Sequence, residues 1–251
     1  MTSRALNGIF RSLRIYHGRD APRAAMDALY ARFMGAGDLV FDIGAHVGDR
    51  VSSFRRLGAR VVALEPQPLA MRALRLIHGR DDGVVLFPAA AAAKSGMLQL
   101  KLNTANPTVS TVSARFIAGA EGAPGWEGQV WDEEVGVNAV TLDELIAQMG
   151  SPRFIKIDVE GFEDEVLAGL GRAVPALSFE FTTIATDVAL RCLERLSSLA
   201  DYRYDVAMGE SQRLTFERPV RVAQMAQFLK ALPHSANSGD IYAQLAKDAD
   251  A

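Results

Sequence analysis

Leu39-Val40-Phe41-Asp42-Ile43-Gly44-Ala45-His46-Val47-Gly48, residues 39–48, decides the fold. Its apolar start reads as a buried strand, its two glycines as a turn, and Val47, Val51 and Phe54 as one face of the helix that follows. Upstream, a helix is predicted from Pro22, burying Met26, Leu29, Tyr30 and Phe33 and stopped by Gly35 and Gly37. Downstream, Arg60–Leu64 reads as a second strand ending at Glu65. Pro68 opens a helix with Ala70, Ala73, Leu74 and Ile77 inward, and Val84–Phe87 reads as a third strand. Thr141-Leu142-Asp143-Glu144 fits a capping box. Phe154–Ile157 is a buried strand ending at Asp158, and Glu163-Asp164-Glu165 suits the first turn of a helix. A strand at Ala176–Phe181, a helix at Asp187–Leu199 and a strand at Tyr204–Ala207 continue the alternation. Leu214–Glu217 and Ile241–Leu245 are expected to complete the sheet as an antiparallel pair. The whole is an α/β fold: a mostly parallel sheet with an antiparallel strand at one edge and helices on both faces.

Two stretches break the rhythm. Met97–Leu102 alternates apolar and polar residues, as an antiparallel edge strand does. Residues 103–136 are rich in Gly, Pro, Ser and Thr and hold Trp126 and Trp131. A loop of that length in a compact domain is a lid, a binding loop or disordered, and a substrate loop or lid is the reading taken here. Asn106, Ser110 and Thr111 would either bond an acceptor there or satisfy turns. The chain divides into an N-terminal helical segment, residues 1–36, and one domain, residues 37–251.

Composition narrows the classes. With 251 residues, the chain can bury a sizeable core. A net charge of −3 lacks the basic excess of a nucleic-acid binder. The one cysteine, Cys192, lies on an apolar stripe and reads as buried structure. No run is long enough to span a bilayer, and a cytoplasmic location is the default. Arg4, Arg11 and Arg14 surround Ile9, Phe10, Leu13 and Ile15. They read as a surface helix, with contact to a membrane surface as the lesser reading. The sequence leaves the oligomeric state open, a homodimer included.

The chemistry gathers at strand ends, where ligands of open parallel sheets bind. Glycines let backbone approach a ligand closely, and Asp42 would accept from an ammonium or from water. Glu65 lies about twenty residues after Gly44, where an acid can accept both hydroxyls of a ribose. Structural readings stand beside these: a tight turn, and a solvated Glu before a Pro-rich turn. NAD sites use G-x-G-x-x-G, whereas Gly44 to Gly48 is G-x-x-x-G with His46 in the crowded position. S-adenosylmethionine has no phosphate to cradle, and D-x-G-x-x-x-G followed by an acid suits it better.

Together, Asp42 to Gly48, Val62-Ala63-Leu64-Glu65-Pro66, Val140-Thr141-Leu142-Asp143-Glu144-Leu145 and Phe154-Ile155-Lys156-Ile157-Asp158-Val159-Glu160-Gly161-Phe162-Glu163 resemble the FkbM family of methyltransferases. The resemblance spans residues 38–182. It implies a Rossmann-like methyltransferase fold, S-adenosylmethionine as cofactor, and O-methylation of a hydroxyl on a small molecule, sugar or glycan. It implies Asp42, Gly44, His46 and Gly48 as the cofactor loop, Glu65 on the ribose, and Ala89 and Ala90 near the adenine. The family carries Asn where this chain has His46. Asp158 is the first candidate for the base that takes the acceptor's proton and Glu160 the second. Both are weighed against a role in holding the next loop.

A divalent cation on Asp158, Glu160 and Glu180 is conceivable from strand order, but no spacing demands it, and metal is left out. His46 is a base or a filler, His78 a charge at a helix end, and His17 and His234 surface residues. The Lys156 head is expected to snorkel toward a sheet end. Two other classes compete: a non-catalytic nucleoside-binding module of the same fold, and an NAD-dependent oxidoreductase.

Overall fold

The computed structural model describes residues 3–18 and 23–246; the expected helix start at Pro22 lies outside them. Its strands are β1 (Leu39–Ile43), β2 (Arg60–Leu64), β3 (Val84–Phe87), β4 (Ala90–Ala91), β5 (Gly96–Leu102), β6 (Glu133–Val140), β7 (Phe154–Ile157), β8 (Ala176–Thr182), β9 (Tyr202–Met208) and β10 (Ser238–Leu245). Its helices are α1 (Ser3–His17), α2 (Arg23–Tyr30), α3 (Asp49–Arg56), α4 (Pro68–His78), α5 (Ala114–Ala120), α6 (Leu142–Met149), α7 (Glu163–Ala168), α8 (Thr186–Leu199) and α9 (Val222–Ala231).

Seven strands form the main sheet in the order β3-β2-β1-β7-β8-β10-β9. β10 runs antiparallel to both its neighbours, and the remaining pairs are parallel. The order reverses beside β1, the topological switch point that opens a crevice at the strand ends. The antiparallel strand therefore sits one place in from the edge, with β9 outermost. Leu214–Glu217 does not become a strand and contributes a single bridge, Leu214 to Ala207. Asp205 Oδ1 accepts from the N–H groups of Thr215 and Phe216 at 3.1 Å each, and Thr215 N–H also donates to the Val206 carbonyl at 2.9 Å, which fastens the segment to β9.

The apolar runs of the central strands reflect burial on both faces. Val40 faces a cluster with Tyr30, Phe54, Val61 and Phe154. Phe41 and Ile43 face the opposite cluster, with Ile155, Ile157, Leu177, Phe179 and Cys192. α6 begins with the expected capping box: Glu144 N–H donates to Thr141 Oγ1 at 3.1 Å, and Thr141 N–H donates to Glu144 Oε2 at 3.0 Å.

α4 corrects two expectations. Its inward face is Ala70, Met71, Ala73, Leu74 and His78, while Ile77 is 42% exposed. The 3.6-residue period carries Met71 and Leu74 on to position 78, so the histidine is the core residue. Its Nε2 lies 3.1 Å from the Gly48 carbonyl and 3.2 Å from Ser52 Oγ, and burial lowers its pKa. His78 is thus a neutral packing group and not a stabilising charge. His17, read as surface, is half-buried and bonds the Val47 carbonyl at 2.9 Å.

Residues 96–140 form a layer of their own. β5 pairs antiparallel with β6, and β4 joins β6 in parallel, so Met97–Leu102 edges a small three-stranded sheet and not the main one. Within 103–136, Pro107–Val109 makes a 3-10 turn and Ser113 caps α5, its Oγ accepting from Phe116 N–H at 3.1 Å. The tryptophans face inward. Trp126 meets Phe116 edge-on at 5.1 Å, and Trp131 Nε1 donates to the Val109 carbonyl at 2.9 Å.

Candidate active site

A cleft opens beyond the carboxyl ends of β1, β2, β7 and β8. It brings together Asp42, Gly44, His46, Glu65, Ala89, Ala90, Asp158 and Glu160 from four separate stretches of sequence. Gly48 is the exception. It caps α3 at φ 86°, and a Cβ there would lie 2.6 Å from Leu74 Cδ2, so it serves packing of α3 on α4. Gly44, at φ 85°, lines the cleft, yet its missing Cβ makes room for protein. That Cβ would stand 1.9 Å from the Asp158 carbonyl. The close approach read from the glycines is between the β1 and β7 loops.

Glu65 is buried at the end of β2. Oε2 accepts the His46 N–H at 2.8 Å, and Oε1 accepts the Gln67 N–H at 2.7 Å. The carboxylate thereby ties the first loop to the second and keeps a further lone pair on each oxygen. Burial pushes its pKa up to about 7, against the pull of the two backbone donors. Asp42 is also buried and is raised to about 7, by burial and then by Asp49; its Oδ2 has no partner. His46 sits at φ 46° beside Tyr16, ring centroids 5.9 Å apart. Neither of its ring nitrogens has a partner, and burial lowers its pKa to about 4. Neutral and without a hydrogen-bonding partner, the imidazole fills space in the turn.

The other end of the cleft is acidic. The carboxylate oxygens of Asp158, Glu160 and Glu180 come within 4.8 Å of one another. Lys156 does not snorkel: it is fully buried, with Nζ 2.7 Å from Asp240 Oδ1 and 3.1 Å from Asp158 Oδ2. Burial alone would raise the pKa of Asp158, but the charges of Lys156 and Arg50 overcome it and hold the group below its usual range. Burial and the Asp158 charge push both Glu160 and Glu180 well up. The cluster therefore favours ionisation at Asp158 and makes its two neighbours hold their protons more tightly. Hard oxygens this close could also take a divalent cation, though Lys156 already competes for Asp158.

The backbone holds this corner in place. Glu160 is at φ 57°, and its carbonyl accepts from Thr111 Oγ1 at 2.8 Å. Glu163 Oε1 accepts from the N–H groups of Val159 and Gly161 at 3.1 and 3.2 Å. Glu163, and not Asp158 or Glu160, is the residue that holds this loop.

Several lining residues were not found from sequence. Tyr16 arrives on α1, and nothing in its neighbourhood announces the cleft. Arg50 donates to Asp49 and pairs with Glu210 at 3.2 Å; the Asp-Arg step directly after Gly48 was the available signal. Asp240 is carried by β10, 84 residues from its partner Lys156. Of the loop residues, Ser110 and Thr111 line the cleft, whereas Asn106 N–H bonds Asn103 Oδ1 at 2.9 Å and closes a turn.

The residues present fit S-adenosylmethionine. Asp42 offers a buried, unpartnered acceptor suited to the ammonium, Glu65 keeps lone pairs for ribose hydroxyls, and Ala89 and Ala90 give a smooth wall for a flat base.

The chain is similar to several known proteins. Hexuronic acid methyltransferase AglP of Haloferax volcanii is 25% identical over 165 residues, 65% of this chain and 62% of that protein, so the match spans about three-fifths of the relative's length. Among solved structures, precorrin-6y C5,15-methyltransferase from Geobacter metallireducens aligns at TM-score 0.47 and 15% identity, covering 89% of this chain and 87% of that one. An S-adenosylmethionine-dependent O-methyltransferase from Thermotoga maritima aligns at 0.44 and 13%, covering 90% and 65%. The methyltransferase FkbM domain matches residues 42–206, the stretch that runs from the first strand end through both acidic ones. The chain belongs to the FkbM methyltransferase family.

Proposed function

We propose that the chain is an S-adenosylmethionine-dependent methyltransferase whose methyl group goes to a hydroxyl oxygen of a saccharide or other hydroxylated small molecule. The observation that carries this reading is the cluster of Asp158, Glu160 and Glu180 at the cleft. An alcohol must lose its proton as its oxygen is alkylated, and a nearby carboxylate can take it. The AglP relative, named for a hexuronic acid, is consistent with a sugar acceptor. S-adenosylmethionine supplies the electrophilic methyl carbon.

The chain's own residues do the rest. Asp42 and Glu65 bind and orient the cofactor. Lys156 keeps Asp158 ionised, so this carboxylate accepts a hydrogen bond from the acceptor hydroxyl and takes its proton as the new C–O bond forms and makes that oxygen strongly acidic. Glu160 and Glu180, whose pKa values are raised, hold their protons more tightly and donate hydrogen bonds to neighbouring oxygens of the acceptor, which leaves a lone pair of the reacting oxygen free to attack in line. Thr108, Ser110, Thr111 and Val112 form the acceptor wall, which narrows the substrate loop from 103–136 to this short segment. The family match argues against the NAD reading, and three crowded carboxylates at the cleft argue against a non-catalytic module.

The test is a panel of sugar acids, neutral sugars and small alcohols incubated with protein and cofactor, read by mass detection of one added methyl and by NMR location of it. An O-methyl product supports the reading. A methyl on nitrogen or carbon overturns it.

A further inference from the structure

We infer that the outer face of α1 and α4 docks on an anionic lipid bilayer. The two helices pack against each other through Ile9, Ala70 and Ala73. Neither contains an Asp or Glu, although the chain as a whole carries net charge −3. Their outward positions instead hold Arg11, Arg14, Arg72 and Arg75, all exposed.

The same two helices carry large apolar side chains in water. Phe10 is 64% exposed, Ile15 53%, Leu76 88%, Ile77 42% and Leu6 39%. Among the described residues, five of the eight exposed large hydrophobics lie on these two helices. Single exposed hydrophobics are ordinary, but a concentration of them on one face marks an interaction surface.

The charge says which surface. Arginines flanking Phe and Leu on an acid-free helical face are the composition of helices that lie in a lipid headgroup layer, apolar side chains inserted and guanidiniums on phosphates. Of the nearby acids, Asp132 pairs with Arg4 of α1 at 3.2 Å and Glu134 with Lys101, while Arg11 and Arg14 make no ion pair among the described residues. No helix among the described residues is long and apolar enough to cross a membrane, so the contact is peripheral. α1 also carries Tyr16 into the cleft, so the docked face and the cleft share a helix.

The full chain would be sedimented with vesicles of phosphatidylcholine alone and of phosphatidylcholine with phosphatidylglycerol. Binding is expected to the anionic vesicles only and to fall at high salt. The variants Phe10→Glu with Leu76→Glu, and Arg11→Glu with Arg14→Glu, are expected to weaken it at least about tenfold. None of the four residues lines the cleft, so cofactor affinity measured by calorimetry should not change, which shows that the variants are folded. Absence of vesicle binding, equal binding to neutral vesicles, a lipid-free dimer that Phe10→Glu dissolves, or salt-sensitive binding to RNA in place of vesicles would each overturn the proposal.

Discussion

The two halves of the cleft treat their carboxylates in opposite ways. At the end of β2, Glu65 is buried alone and is satisfied by two backbone N–H groups. At the ends of β7 and β8, Asp158, Glu160 and Glu180 are pressed against one another, and Lys156 supplies the balancing charge from within the sheet. The first arrangement fixes geometry, which is what recognition of a cofactor needs. The second keeps protons divided unequally among neighbours, which is what an acid–base step needs. One strand order builds both, because it delivers every strand end to the same crevice.

The strongest way to break this contrast is Lys156→Met. It leaves Asp240 and Asp158 without their buried cation, and loss of one member of a buried pair costs about 3–5 kcal/mol. Urea denaturation should show that loss. A change below about 1 kcal/mol would mean that Lys156 does not balance the acidic half.

Asp158→Asn comes next. Cofactor affinity should hold while turnover falls about 10²–10⁴-fold, the range of general-base catalysis. Glu160→Gln should lose less, because Glu160 is placed as the proton-bearing partner. The reverse ranking would exchange their roles.

Glu65→Gln tests the other half. The amide can still accept one loop N–H, but it loses a charged acceptor worth about 1.5–3 kcal/mol, so cofactor affinity should fall roughly 10- to 100-fold by calorimetry. Rate at saturating cofactor should stay within a few-fold.

The smallest effect is in pH. Asp42, Glu65 and Glu163 are each raised to about 7, so the folded chain binds these protons more tightly than the unfolded chain. Their contribution is complete below about pH 4 and is lost as pH rises through about 7. The melting temperature of the cofactor-free protein should therefore decline between about pH 5 and 8, and Asp42→Asn should flatten the decline. Asp158 acts with the opposite sign: its lowered pKa contributes stability at neutral pH that is lost only in acid. A melting temperature that rises from pH 5 to 8 would show that the buried acids are better solvated than their surroundings imply.

Much of the molecule was legible from local pattern. Apolar runs between turn residues located β1, β2, β3, β7 and β8, and the carboxylates Asp42, Glu65 and Asp158 were placed correctly because each closes such a run. The capping box at Thr141 was legible because its partners lie within one helical turn.

Other features depend on what lies opposite. Ile77 and His78 compete for the same helical face, and only the position of Gly48 and Ser52 puts the histidine inside. Gly44 reads as a glycine for a ligand until the Asp158 carbonyl is seen occupying the space of its Cβ. Trp126 and Trp131 look like a lid until α5 folds back and offers them Phe116.

The sequence by itself determined the alternating α/β order, the family and the acids at the strand ends, because periodicity, capping and turn chemistry act over a few residues. Tertiary structure alone decided that β10 inserts beside β8, that its Asp240 meets Lys156, and that Asp158, Glu160 and Glu180 share one corner. These are contacts between residues far apart in the chain. A hydrophobic pattern records whether a side chain is inside, but not which neighbour it meets there.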